Sequence, residues 1–121
     1  MRKINLFPVG KYIPKFNTKT KQDLPCGIIY QSSGLVAHVA KHHPDEVYLL
    51  DMVPQIIKEP DFIGQHPKEP YSIELVKTVD KNVMVCIKLD QMHDYIFVAS
   101  VFSISNAKLK KRIDSGRLIP Y

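Results

Sequence analysis

With 121 residues, 45% apolar and 24% charged, the chain has the size and composition of one globular domain, which excludes a disordered or fibrous polypeptide. No run approaches the ~20 apolar residues of a membrane-spanning helix, and Cys26 and Cys86 give neither a disulfide framework nor a paired zinc pattern. The net charge of +5 is uneven: residues 1–44 sum to +6, residues 45–80 to −5 and residues 81–121 to +4, and such basic ends suit a polyanion such as RNA.

The basic start, MRKINLFPVGKYIPKF, has no apolar stretch of signal-peptide length, so a cytoplasmic location is expected. Three prolines, Pro8, Pro14 and Pro25, and weak periodicity predict a basic extended arm or edge strand over residues 1–25. Within it a short strand is expected near INLF and a mobile loop over KFNTKTKQD. Residues 26–121 are expected to form a single domain.

GIIYQ (27–31) is a short strand candidate, and Ser32 and Ser33 supply cap chemistry for a helix over 34–42. Leu35, Val36 and Val39 would be its buried side. Pro44 biases His43 away from helical backbone and ends that helix. PDEVYLLDM restarts one, with Pro44 in first place and Asp45 and Glu46 in the favourable first turn. VPQIIKEP repeats the device between Pro54 and Pro60.

The period then changes. YSIELVKTV (71–79), NVMVCIKLD (82–90) and YIFVASVFSIS (95–105) are rich in β-branched and aromatic residues, and DK and QMHD between them are short enough for hairpins. Val83, Val85, Ile87 and Leu89 alternate with Met84, Cys86 and Lys88, so four aliphatics share one face. Residues 105–116 predict a short basic helix, capped by Ser105 or Asn106 and stopped at Gly116. The predicted fold class is therefore α+β: N-terminal helices, a three- to four-stranded antiparallel sheet, and a short basic C-terminal helix.

GLVAHVAKHHPDE concentrates three histidines, His38, His42 and His43. His38 and His42 are four apart and would share a helix face, as two zinc ligands do. The glutamate of a metalloprotease is missing between them, and the spacing singles out no third ligand among His66, His93 and the cysteines. No metal or other cofactor is expected. Metal-free RNA cleavage is the second possibility. It needs a base for the ribose 2′-OH, an acid for the leaving 5′-oxygen and cations for the phosphate. Histidine suits the proton roles; Lys108, Arg112 and Arg117 suit the phosphate, with hydroxyls from Ser100, Ser103 and Ser105. The third possibility is structural: histidines closing a helix, serines capping the next one and a solvated basic face.

GLVAHVAKHHPDE, PQIIKEPDFIG, SIELVKTVDKNVMVCIKLD and YIFVASVFSISNAKLKKRIDSGRLIP together resemble a family of phage-associated nuclease-like domains of the barnase–EndoU–colicin–RelE superfamily. The resemblance rests on six motifs in order: H-x4-HP, PD-[YF]-IG, SIELVK, IKLD, a strand ending IS, and KL-x2-R-x2-SGRL. It spans about residues 27 to 119 and leaves out the first 25. It implies helices before a four-stranded antiparallel sheet, and metal-free endoribonuclease action through 2′-OH attack, leaving a 2′,3′-cyclic phosphate. Carried over by position, the catalytic candidates are His38, His43, Arg112 and Arg117; which histidine is base and which is acid does not carry over, and His38 is taken here as the base, with both arginines on phosphate. The substrate-binding candidates are His42, which falls at a variable position, with Ser103, Ser105, Lys108 and Ser115. RNA is the implied partner, a cognate inhibitor protein a further one, and a host cytoplasm the implied location; no membrane is involved. The alternative is an inactive RNA-binding or protein-interaction module on the same fold.

Overall fold

Val83, Val85 and Ile87 alternate with Met84 and Cys86, so both faces of their strand are apolar and both need cover. In the computed structural model, which describes residues 5–121, this strand (β5, Asn82–Asp90) is the centre of a seven-stranded sheet. In chain order the other elements are β1 (Leu6–Tyr12), α1 (Pro14–Thr20), β2 (Gly27–Ser32), α2 (Ser33–His42), a 3-10 helix (Pro44–Met52) and α3 (Val53–Lys58). There follow β3 (Phe62–Gln65), β4 (Ser72–Thr78), β6 (Tyr95–Ile104), α4 (Asn106–Asp114) and β7 (Ile119–Pro120). Across the sheet the order is β1-β2-β6-β5-β4-β3-β7.

The α+β class holds, but the sheet is larger than the three to four antiparallel strands expected, and it is mixed. The β4–β5–β6 meander is antiparallel as predicted, whereas β2 lies parallel to β6, with Ile29 beside Ile96 and Tyr30 beside Phe97. Two strands precede the main helices, where short strands near INLF and over GIIYQ are expected, and both join the same sheet. The N-terminal hairpin adds β1 and β2 at one edge, and short β3 and β7 extend the other.

The two faces carry separate apolar clusters. On one, Ile73, Leu75, Val83, Val85, Ile87, Val98 and Val101 meet Leu35 and Val39 of α2, Leu49 and Leu50, and Ile56 and Ile57 of α3. On the other, Val76, Met84 and Ile104 meet Leu118 and the half-buried Leu109 and Ile113 of α4. Each fully buried aliphatic contributes about 1.5–3 kcal/mol, so the first face holds most of the stability. It is the face on which α2 is built.

The loop expected over KFNTKTKQD is instead α1 and its exit turn. Its seven residues are too few to be stable alone; tertiary contacts hold them. Phe16 is fully buried edge-on to Tyr12. Asn17 Oδ1 accepts from Tyr12 Oη (2.7 Å) and from the Leu24 amide (3.0 Å), while its Nδ2 donates to the Leu24 carbonyl (2.8 Å). The strand expected near INLF is β1, with Ile4 outside the described residues. β1 is an edge strand, irregular between Pro8 and Gly10, which discourages further pairing along that edge.

α2 starts as its serines predict: Ser32 Oγ accepts from the Leu35 amide at 3.3 Å. His43, at φ −140°, ends it. PDEVYLLDM restarts as a 3-10 helix and not as an α-helix. Three residues per turn put Leu49 over Met52 and Leu50 over Val53, so two adjacent rows reach the core.

Cys86 is buried, which pushes its thiol up to about 11, whereas Cys26 is exposed. A thiol-colouring reagent at neutral pH is therefore expected to titrate one cysteine rapidly and the second only after denaturation. Because the folded thiol ionises later than the unfolded one, Cys86 adds stability below the ordinary thiol range that is lost as pH rises toward 11. Two fast thiols in the native protein would contradict the burial.

Candidate functional site

Ser105 opens α4 by accepting the Lys108 amide on its Oγ at 3.1 Å. Leu109 and Ile113 turn inward, so Lys108, Arg112 and Ser115, at i, i+4 and i+7, form one neighbouring row. Gly116, at φ +82°, reverses the chain, a left-handed conformation that side chains disfavour. The turn is held by Leu118 N–H to the Arg112 carbonyl (3.0 Å) and Ser115 Oγ to the same carbonyl (3.1 Å). Arg117 is thereby laid back over the sheet.

Its anchor is Glu74. Arg117 Nε and Nη2 each donate to a Glu74 carboxylate oxygen at 2.7 Å, a two-pronged pair in which Glu74 is only 1% exposed. That hydrogen bonding, before any longer-range effect, holds Arg117 further toward its charged form. Gly64 lies opposite Glu74 on β3, and a side chain there would collide with the Arg117 carbonyl oxygen. Three of the motifs, PDFIG, SIELVK and SGRL, thus meet at one place: a glycine that makes room, a carboxylate that anchors and an arginine that is anchored.

Around Arg117 the surface is cationic. A cavity of about 290 Å³ is lined by Lys108, Lys111, Arg112, Ser115 and Arg117. A second, of about 350 Å³, lies on the other side of Arg117 and takes in Lys19, Lys21 and Gln65. Lys108, Lys111 and Arg112 enter no ion pair among the described residues; Arg112 Nη1 rests 3.4 Å from the Met84 sulfur, a weak acceptor. With Arg117 matched by Glu74, three unmatched cations remain, which suits a phosphate diester. On the floor of the sheet, Cys86 and Ser100 complete the row that begins at Glu74.

The histidines stand elsewhere. His38 and His42 are exposed on α2 with ring centroids 4.6 Å apart, and exposed His43 closes that helix by donating its amide to the Val39 carbonyl at 2.7 Å. α2 and α4 pack on opposite faces of the sheet. The structure therefore brings together Lys108, Arg112, Ser115 and Arg117, and brings none of His38, His42 or His43 into their cavity. Ser103 is on the α2 side, its amide directed at Glu46 Oε1 (3.4 Å), and Ser105 is the α4 cap; neither lines either cavity. Among the described residues no three His, Cys, Asp or Glu side chains are grouped to hold a metal ion.

Sequence reasoning missed Glu74, Gly64 and Lys111. The signal for Glu74 was present: it is the charged residue within the buried run Ser72–Val76, and a buried carboxylate requires a cation.

A family model described as phage-Barnase-EndoU-ColicinE5/D-RelE like nuclease3 matches residues 7–111. The match begins in β1, so it includes most of the N-terminal segment that the motifs had left out. It ends within α4, before Arg112, Ser115 and Arg117. No curated protein and no solved structure matches the chain.

Proposed function

Because the chain belongs to the phage-Barnase-EndoU-ColicinE5/D-RelE like nuclease3 family, whose implied substrate is nucleic acid, we propose that it is a metal-independent endoribonuclease. In that reading a ribose 2′-OH attacks its own 3′-phosphate, the 5′-oxygen leaves, and a 2′,3′-cyclic phosphate remains. The carrying observation is the cavity of Lys108, Lys111, Arg112 and Arg117, whose cations would offset the charge gathering on the phosphate oxygens in the transition state. Glu74 holds Arg117 in place before substrate arrives, so little reorganisation is needed on binding. His38, exposed on α2 across the sheet from that cavity, does not reach a ribose whose phosphate sits among these cations, so it is not assigned as the general base.

The test is incubation of the full chain with RNA in EDTA, followed by end-group analysis. Cyclic-phosphate ends and intact DNA of the same sequence are expected. Arg112→Ala should lower the rate by about 100-fold through lost charge stabilisation, while His38→Ala should cleave at the unaltered rate. A His38→Ala loss of about 100-fold or more, the size typical of a removed general base, would move the reacting phosphate to the α2 face; cleavage that stops in EDTA removes metal independence.

One observation favours a second reading. The histidines and the cationic cavity belong to opposite helix layers. A protein that binds nucleic acid in the same cavity without cutting it would need no proton carrier there. Salt-sensitive RNA binding with no cleavage of any RNA would select that reading.

A further inference from the structure

α4 covers only one end of its face of the sheet, over Val76, Met84 and Phe102. One pleat beyond the Glu74–Cys86–Ser100 row, register places Ser72, Lys88, Phe97 and Tyr30 in a line across β4, β5, β6 and β2. Their sequence neighbours Ile29, Ile73, Ile87, Ile96 and Val98 are buried in the other layer, so this row faces the α4 side. Tyr95, two residues before Phe97, extends it.

The rings form one cluster of tilted neighbours. Tyr95 is 5.8 Å from Phe97, 6.0 Å from Tyr30 and 6.3 Å from the exposed His93, measured between centroids. Tyr30, Tyr95 and Phe97 are each half-buried, and no helix packs on them among the described residues. A cavity of about 270 Å³ opens beside Tyr30 and Tyr95, walled by Pro25 and Ile28. Lys88 lies in the same row, its ammonium 3.3 Å from Glu69 in a solvent-exposed pair that water weakens.

Cross-strand ring packing alone would account for aromatic residues here, but such a role is satisfied by any large apolar side chain. What distinguishes the place is its distance from the phosphate cavity. Two strand spacings and two residues of rise put Phe97 about 12 Å from Glu74, using about 4.8 Å and 3.4 Å respectively. That is a span of about two nucleotides of single strand. Half-exposed π-faces beside a cationic pocket, tilted 50–78° to one another and so open to separate bases, match the chemistry of unpaired bases splayed out of a stack.

We propose that Tyr30, Tyr95 and Phe97 form a stacking platform for unpaired bases of the nucleic acid whose phosphate enters the α4 cavity, which makes the substrate single-stranded. The inference rests on the nucleic-acid reading above and adds the substrate's form to it. Bases lie against the rings on the open sheet, and the backbone turns toward Arg112 and Arg117. A double helix, whose bases are already stacked, gains nothing from the platform.

The full chain is titrated with a fluorescein-labelled 2′-O-methyl octanucleotide, which cannot be cut by 2′-OH attack, and with the same strand in a duplex. The single strand is expected to bind at least tenfold more tightly. Tyr95→Leu should weaken single-strand binding about tenfold, the scale of one lost base stack, while Tyr95→Phe should leave it intact. Neither should alter the salt slope, which Arg112→Ala should flatten. Leu and Phe fill similar space, so a purely structural ring would give two equal variants. Equal affinities in Tyr95→Leu, Tyr95→Phe and the unaltered protein overturn the platform and spare the nucleic-acid reading. So does a duplex bound as tightly as the single strand. No binding of either probe overturns both.

Discussion

Arg117→Ala is expected to destabilise the protein by about 3 kcal/mol, because it strands a buried carboxylate. Glu74 keeps only 2% of its side chain in contact with solvent and both of its oxygens are held by Arg117. Removing one partner of a buried pair costs about 3–5 kcal/mol; the lower end applies because 25% of the Arg117 side chain is exposed. The melting temperature should fall by about 10 °C or more. Single and double variants separate this cause from simple loss of packing. Glu74→Gln should be milder, since Arg117 can turn its charge to water, and the pair Glu74→Leu/Arg117→Leu should recover part of the loss. A Glu74→Leu/Arg117→Leu protein no more stable than Arg117→Ala would refute a stranded charge.

Gly64→Ala is the second large expectation. The added methyl would enter the space of the Arg117 carbonyl oxygen and would itself lie 3.2 Å from Leu118 Cδ2. A carbonyl oxygen cannot swing aside like a side-chain end, so β7 must separate from β3, uncovering Leu118, which is 1% exposed. The expected cost is about 3 kcal/mol or more. Any cleavage activity should fall further than stability alone predicts, because Arg117 moves with its backbone. Gly34→Ala, in a helix where the new methyl meets only Ser32 Oγ at 3.7 Å, is the control and should be neutral or slightly stabilising. A Gly64→Ala protein with an unchanged melting temperature would show that the β3–β7 contact is looser than described.

The middle of the fold was legible because its signals are local. Alternation at residues 83–89 marked the central strand, DK and QMHD marked the two hairpins, and Ser32, Pro44 and Ser105 marked helix ends. What escaped depends on residues far apart in sequence. α1 has one large apolar anchor, Phe16, and is held by an asparagine that bridges Tyr12 and Leu24. The parallel β2–β6 pairing joins residue 29 to residue 96 and leaves no mark in periodicity. The cationic half of the site was visible as spacing, since i, i+4 and i+7 on a capped helix must share a face. Its anchor was not: Glu74 and Arg117 are 43 residues apart, and a lone carboxylate in an apolar strand names no partner. The histidines were singled out by clustering, which says that they share a helix but not which side of the sheet that helix covers.

The separation of Glu74 from Arg117 also sets an order of events at birth. A ribosome adding about 5–20 residues per second needs about 2 to 9 seconds to pass from one to the other, given their 43-residue spacing. Throughout that interval the arginine that pairs with Glu74 has not been made, and the carboxylate has no cation. Under the proposed ribonuclease function, a nascent chain would be harmless to the message and the ribosome that are producing it, with the late-made Arg117 as the safety catch.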